Sequence, residues 1–263
     1  MSYHNIKFQI EKNVAVIALN RPDVLNSFNR EMAGEVQNAL AQAGNDQQVR
    51  AILLTGEGRA FCAGQDLEEA IPPDGSPPPE ISDLVRQNYN PIIRLIRSIE
   101  KPVICAVNGA AAGAGANIAL ACDFVIASEK ASFIQAFCKI GLIPDSGGTY
   151  FLPRLVGIPR ATALMMLGDK IGAREALEMG MIYEVYTPES LMNEALKFAE
   201  YLATQPTRAL GLIKKALNRS LANDLDSQLE VEANLQSEAG ATEDSREGIQ
   251  AFLEKRKPVF TGK

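Results

Sequence analysis

The chain has 263 residues, room for one large domain or for a domain with a helical appendage. A hydrophobic fraction of 46% supplies a sizeable core, and a net charge of −6 without any long run of Lys or Arg argues against nucleic acid as a partner, while local basic spots can still hold a small anion. The single histidine, His4, stands near a terminus expected to be loose, which removes readings that need a Ser-His-Asp triad or a His-rich metal site, so no metal is expected.

Cys62, Cys105, Cys122 and Cys138 form no CxxC pair and sit among apolar or small residues, as buried reduced thiols do. Met1 to His4 carry no basic segment followed by an apolar one, and no apolar run is long enough to span a membrane. The expected setting is cytoplasmic and reducing, with no membrane partner.

Ile6 to Glu11 alternates and Val14 to Leu19 is a β-branched apolar run, which predicts a hairpin turning near Lys12-Asn13, its second strand ended by Arg21-Pro22-Asp23. Phe28, Met32, Val36 and Leu40 recur every four residues and predict an amphipathic helix. Ala51 to Leu54 predicts a short buried strand ending at Thr55-Gly56. Ile71 to Pro79, with five prolines, predicts a surface loop, followed by a helix with Ile92, Ile93, Ile96 and Ile99 on one side. Val103 to Val107 and Phe124 to Ala127 predict further strands, separated by a run of small residues and a helix through Leu120. This strand-then-helix order implies an α/β fold with parallel pairing through right-handed crossovers. After about Arg174 nearly everything reads as helix: Ala173 to Met179, Pro188 to Ala203, Thr207 to Leu221 and Leu225 to Ala239. With no low-complexity linker, that region reads as a helical appendage joined without a flexible tether.

Three segments can carry chemistry. In Phe61-Cys62-Ala63-Gly64-Gln65-Asp66-Leu67, small residues let backbone approach a ligand and Asp66 can cap the next helix; an ordinary strand-to-helix loop explains the same residues. Asn108 to Ala116 is a run of small residues between strand and helix, suited either to a turn that aims N–H groups at a ligand or to close helix–strand packing. It lacks the G-x-G-x-x-G spacing of a dinucleotide loop. In Ile140 to Thr149, Asp145 lies between an apolar stretch and Gly147-Gly148. Desolvation by Leu142 and Ile143 would raise its pKa and make it a base near neutral pH, although an Asp that only shapes a turn fits the local sequence as well.

Taken in order and spacing, these segments resemble the crotonase (enoyl-CoA hydratase/isomerase) superfamily. The resemblance covers essentially the whole chain and includes Leu19-Asn20-Arg21-Pro22, Leu25-Asn26-Ser27-Phe28, Ala63 to Leu67, Lys101-Pro102-Val103, Val107-Asn108-Gly109, Cys122-Asp123-Phe124, Gly141 to Pro144, Arg246-Glu247-Gly248 and Phe252 to Arg256. It implies an α/β spiral of β-β-α turns over residues 1–200 and a C-terminal helical region, 201–263, for trimer or hexamer formation and coenzyme A contact. It further implies that the backbone N–H groups of Gln65 and Ala114, beside Gly113, hold the thioester oxygen as it becomes an enolate. Arg21, Val24 and Leu25, with Ala63, Gly64, Asp66 and Leu67, would line the coenzyme A groove, and Phe252, Lys255 and Phe260 would lie near a neighbouring subunit's coenzyme A. Coenzyme A belongs to the substrate, and no separate cofactor is implied.

The departures from the family pattern are informative. The two glutamates with which hydratases activate and deliver water stand here as Asn117 and Phe137; neither does general base chemistry, and Phe137 would keep the site dry. Asp145 falls where hydratases usually have glycine and where some isomerases of the superfamily carry their acid/base. Phe61 to Leu67, Ala111 to Ala116, Leu142 to Asp145 and Phe260-Thr261-Gly262-Lys263 most resemble a branch that isomerises aryl ring epoxides as acyl-CoA thioesters. The resemblance thus implies a single-base acyl-CoA isomerase, with Asn117 orienting substrate or a water. A fatty enoyl-CoA isomerase, a hydratase and a non-catalytic acyl-CoA-binding relative are the competing readings; an RNA-binding role lacks a basic face.

Overall fold

The hairpin is present: β1 (Ile6–Glu11) pairs antiparallel with β2 (Val14–Leu19), Glu11 opposite Val14. Lys12 and Asn13 between them take φ of +47° and +64°, the left-handed geometry at both central positions that lets a two-residue turn follow the strands' twist. β2 is buried along its whole length, because its other edge pairs in parallel with β3 (Ala51–Gly56) and both faces of the sheet are covered. Between them lies α1 (Arg30–Asn45), whose N-cap Asn29 accepts a hydrogen bond from Met32 N–H. Of the predicted stripe, Met32, Val36 and Leu40 lie buried on this helix, widened by Ala33, Ala39 and Ala43, while Phe28, also buried, precedes the N-cap and is not part of it. The computed structural model describes residues 3–70 and 80–263; the loop predicted from Ile71 to Pro79 lies outside the described residues.

From β3 onward the chain alternates between two sheets. β3 is followed by β4 (Ala60–Cys62) and α2 (Leu67–Ala70); α3 (Ile81–Leu84) runs through a π turn at Val85–Tyr89 into α4 (Asn90–Ser98). β5 (Val103–Val107) is followed by β6 (Ala110–Ala112) and α5 (Ala114–Leu120), then β7 (Phe124–Ser128) by β8 (Ser132–Ile134). α6 (Gly148–Val156), α7 (Ile158–Leu167), β9 (Lys170–Gly172), α8 (Ala173–Glu178) and β10 (Glu184–Tyr186) complete this part. The large sheet has the order β1-β2-β3-β5-β7-β10 and the small one β4-β6-β8-β9. Each successive β-β pair therefore puts one strand into each sheet before a helix carries the chain on, which is the expected spiral. The crossovers within the large sheet, β2–β3, β3–β5, β5–β7 and β7–β10, are all parallel, as the strand-then-helix order implies.

α9 (Leu191–Ala203), α10 (Thr207–Ser220) and α11 (Leu225–Gly240) follow, close to the predicted helices, and α12 (Glu243–Glu254) is one more, beyond those predicted. The change of character near Arg174 is not a structural boundary, however. β10 lies beyond it and extends the large sheet alongside β7. Leu191, Ala195, Ala199 and Leu202 of α9 pack on the face made by Val14, Val16, Leu53, Ile104 and Ala106, while Ala15, Ile17, Leu19 and Leu54 point into the larger core on the other side. α9 is thus an integral layer of the core. Cys62, Cys105 and Cys122 are buried, Cys138 is half-buried and all four are free, as expected; burial pushes the Cys62 thiol up to about 12. Among the described residues no helix is long and apolar enough to cross a membrane.

Candidate active site

Two amides come out of the sheet pattern unpaired. Along the loop after β4, Phe28 N–H donates to Gly64 C=O at 2.7 Å and Asp66 N–H donates to Phe28 C=O at 2.8 Å. Successive amides of an extended segment point to opposite sides, so Gln65 N–H faces away from Phe28, and it donates to nothing among the described residues. At the end of β6, Gly113 N–H donates to Ile134 C=O at 2.9 Å. Ala114, which opens α5, turns its N–H the other way, again without a partner among the described residues.

Gly64 lets these donors meet. Its φ is +97°, and a Cβ there would stand 3.1 Å from Ala112 O and 3.7 Å from Ala114 N. Only glycine combines that conformation with so close an approach. Buried N–H groups left unpaired are rare and costly; two neighbouring ones form a receptor for an oxygen that gains negative charge. Phe137, 7% exposed, packs over the same turn, with ring carbons 3.7 and 3.9 Å from where a Gly113 Cβ would be. Tyr89, on the π turn and 1% exposed, donates from its hydroxyl to Gln65 Oε1, while Gln65 Nε2 donates to Asp66 C=O at 3.1 Å.

The two segments expected to line the coenzyme A groove are stitched together. Ala63 N–H donates to Leu25 C=O at 3.0 Å. Arg21 Nη1 donates to Asp66 Oδ2 at 2.8 Å and to Ser27 C=O at 2.7 Å. Asn26, fully buried, accepts from Arg21 N–H and donates to the carbonyls of Glu57 and Ala60, with Leu25 and Asn26 both at φ +55°. Val24 and Leu67 are left as exposed apolar surface beside this polar frame. Phe252, on α12, is 82% exposed, and Lys255 ends that helix at φ +57°; among the described residues no hydrogen bond or ring contact joins either to the amide pair.

Asp145 is half-buried in the turn that leads into α6. Burial pushes its pKa up, opposed in part by Ser146 Oγ, which donates to Asp145 Oδ1 at 2.8 Å, and by its own N–H. Leu142 is 39% and Ile143 80% exposed, so neither of the two expected shielding residues is itself part of the core. Asp145 is instead held against the interior. Its C=O accepts from Gly148 N–H at 2.8 Å and from Asn117 Nδ2 at 2.9 Å. Burial also raises the pKa of the Tyr89 hydroxyl, with the charges of Cys62, Asp145, Glu69 and Asp66 adding to it, so Tyr89 stays neutral beside the amide loop. Asn117 is not placed as expected for a substrate-orienting residue: it is fully buried, its Oδ1 accepts from Gln135 Nε2 at 2.8 Å, and it lies behind Asp145.

Residues 9–263 match the family model described as enoyl-CoA hydratase/isomerase. The chain belongs to that family, the crotonases. It is 50% identical over 254 residues to the 1,2-epoxyphenylacetyl-CoA isomerase of Escherichia coli K12, covering 97% of each chain. It is 48% identical over 263 residues to a Rhodobacter capsulatus protein named as an enoyl-CoA hydratase, covering both chains completely. A crystal structure described as an enoyl-CoA hydratase/isomerase from Mycobacterium abscessus superposes with a TM-score of 0.92 at 40% identity, covering 98% of this chain and all of the other. This crotonase is therefore an enzyme of acyl-CoA isomerase/hydratase type with the family fold.

Sequence reasoning brought Gln65, Ala114, Gly64, Phe137 and Asp145 together but missed Tyr89, Gln135 and Ser146. Ser146 adjoins Asp145 and could have been found as a hydroxyl next to a candidate base. Tyr89 and Gln135 carry no local signal, because each reaches the site only through the fold. His4, Glu31 and Glu35 bring three ligand atoms within 4.8 Å of one another, but the group is mostly exposed and Glu35 already accepts from the N–H groups of His4 and Asn5; it ties down the N-terminal segment.

Proposed function

We propose that this crotonase is an acyl-CoA isomerase that converts ring-1,2-epoxyphenylacetyl-CoA to 2-oxepin-2(3H)-ylideneacetyl-CoA and also shifts a double bond in dehydroadipyl-CoA. The observation that carries the reading is Asp145: one carboxylate whose pKa is raised by burial, in a family member that has Asn117 and Phe137 where hydratases place their glutamates. The name of the Escherichia coli relative supports the ring epoxide as substrate.

In this mechanism the thioester oxygen sits between Gln65 N–H and Ala114 N–H. Asp145 removes a proton from the carbon next to the thioester carbonyl, and the electron pair moves onto the carbonyl oxygen, where each amide lowers the barrier by about 3 kcal/mol. The enolate is held while the carbon–carbon bond of the epoxide opens to the seven-membered ring, and Asp145 then returns the proton to carbon 3 of that ring, so that substrate and product are isomers. In double-bond migration the same carboxylate returns the proton two carbons along the chain. Raising the pKa of Asp145 makes it a stronger base and keeps its conjugate acid able to give the proton back. Phe137 over Gly113 keeps water from the enolate.

The test is to incubate the purified protein with ring-1,2-epoxyphenylacetyl-CoA and follow chromophore and retention time, since isomerisation leaves the mass unchanged. Asp145→Asn should remove turnover; a folded Asp145→Asn protein with near-full isomerase activity overturns the assignment. The Rhodobacter capsulatus relative favours hydration as the second reading, and water addition to crotonyl-CoA at a normal rate would establish it. A fatty enoyl-CoA isomerase is separated by comparing rates on aryl and alkyl acyl-CoAs. We further propose a trimeric assembly through the C-terminal helices, whose Ile213, Leu217, Leu229, Ile249 and Phe252 are all more than half exposed in the single chain. A monomeric mass in solution would refute it.

A further inference from the structure

We infer that Asn117 and Gln135 are positioning residues that fix the main chain carrying Asp145 relative to the Ala114 amide. The inference rests on reading Asp145 as the base. The segment that carries the carboxylate does not hold its own shape easily. Ser146 at φ +49° and Gly147 at φ +74° follow it, two consecutive left-handed residues of which only the glycine is at ease there. One local bond closes this turn, from Gly148 N–H to Asp145 C=O. The second bond to the same carbonyl comes from Asn117 Nδ2 on α5, the helix that Ala114 opens. Asn117 N–H in turn donates to Gly113 C=O at 3.2 Å. A continuous set of bonds therefore runs from the oxyanion turn to the base, and the Asn117 amide is its middle member.

The direction of that amide is enforced from behind. Gln135, 4% exposed and just past β8, donates to Asn117 Oδ1; turning the Asn117 amide over would set its donors against Gln135 Nε2. Gln135 Oε1 has no hydrogen-bond partner among the described residues. A buried glutamine that leaves its acceptor unpaired is a poor way to stabilise a core, so its presence is explained by the one bond it makes. The neighbouring main chain has been cleared for the same amide: a Cβ on Gly148 would stand 2.3 Å from Asn117 Nδ2 and 2.7 Å from its Cγ. Gly148 has no left-handed φ to explain it; its missing side chain is the room Asn117 occupies.

The test compares Asn117→Leu, Gln135→Met, Gly148→Ala and the double variant Asn117→Ala/Gly148→Ala on ring-1,2-epoxyphenylacetyl-CoA, with Asp145→Asn and the single Asn117→Ala as controls. Misplacing a reacting group by about 1 Å costs on the order of 100-fold in rate. We expect kcat to fall about 10- to 100-fold in Asn117→Leu and Gly148→Ala and less in Gln135→Met, with KM within about twofold of the parent's. Gly148→Ala leaves both hydrogen-bonding side chains in place, so it carries the test if Asn117→Leu does not fold. The double variant should be no slower than Asn117→Ala alone, because the clash has lost its target. Folded single variants with unchanged kcat, a loss expressed in KM, or fully multiplicative losses in the double variant would each overturn the inference. Full activity in Asp145→Asn would instead remove the base reading, a distinguishable outcome.

Discussion

Gly64→Ala is the sharpest single perturbation of the oxyanion pair, because it adds one methyl group and touches no proton-transfer residue. At φ +97° an alanine is strained by about 1–3 kcal/mol. Its Cβ would also press on Ala112 O at 3.1 Å, closer than comfortable contact, so a few tenths of an ångström must be given up. Ala112 is fixed between β4 and β8, so the 63–66 loop must give way, against its bonds to Phe28 and Leu25. Retreat carries Gln65 N–H away from the position of the developing oxyanion. Loss of one such donor costs roughly 2.7–4 kcal/mol of barrier, or 100- to 1000-fold in kcat. We expect a folded protein, less stable by about 2 kcal/mol, with kcat down about 100-fold and KM little changed. Steady-state kinetics alongside urea unfolding measures both. A folded Gly64→Ala enzyme with kcat within threefold of the parent would refute the role of the Gln65 amide, and a loss expressed only in KM would assign it to ground-state binding.

Asp145→Asn should gain stability as it loses activity. Burial raises the folded-state pKa of Asp145 above its ordinary 3.8, so the folded state binds this proton more tightly than the unfolded chain. Its favourable contribution is complete below that ordinary value and is lost as pH rises through the folded pKa. At pH 8 the variant should therefore unfold at higher urea than the parent, with the gap closing in acid, and kcat/KM of the parent should fall as pH drops through the raised pKa. Tyr89→Phe removes the tyrosine hydroxyl from Gln65 Oε1; a net hydrogen bond of about 1 kcal/mol predicts a several-fold fall in kcat, and an unchanged rate would make Tyr89 a packing residue only. Asp244, 3% exposed, accepts from the N–H groups of Thr261 and Gly262, and Lys263 C=O accepts from its own N–H. Asp244→Ala should cost about 3 kcal/mol and free residues 260–263 to fast hydrogen exchange.

What sequence made legible was whatever had a period or an unusual local composition. The β1–β2 hairpin follows from alternation and α1 from its four-residue stripe. The Gly64 and Gly113 loops were visible because runs of small residues between strand and helix are rare without a packing or binding reason. β4, β6, β8 and β9 were not visible, since strands of three residues each are too short to show a period of two. The helical reading after Arg174 hid β10 for the same reason. Asp145 was found but the way it is held was not: burial was inferred from Leu142 and Ile143, which are largely exposed, whereas its carbonyl is bonded by Asn117 on α5 and Gly148 on α6. Gln135 was beyond reach because its meaning lies in one bond to a residue 18 positions away.

The unpaired amides of Gln65 and Ala114 are main-chain groups, and that fixes what mutation can and cannot do to this enzyme. No side-chain substitution deletes a peptide N–H except replacement by proline, so the charge-holding role proposed for these amides is insulated from most single changes and vulnerable only where backbone geometry itself depends on a residue, as at Gly64. In the proposed mechanism the proton-transfer half is the opposite: it rests on one side chain, Asp145, which a single substitution removes while the two amides stay as they were. Such a scaffold can explore hydration, isomerisation and related enolate reactions by changing side chains alone, keeping its hardest-won component throughout.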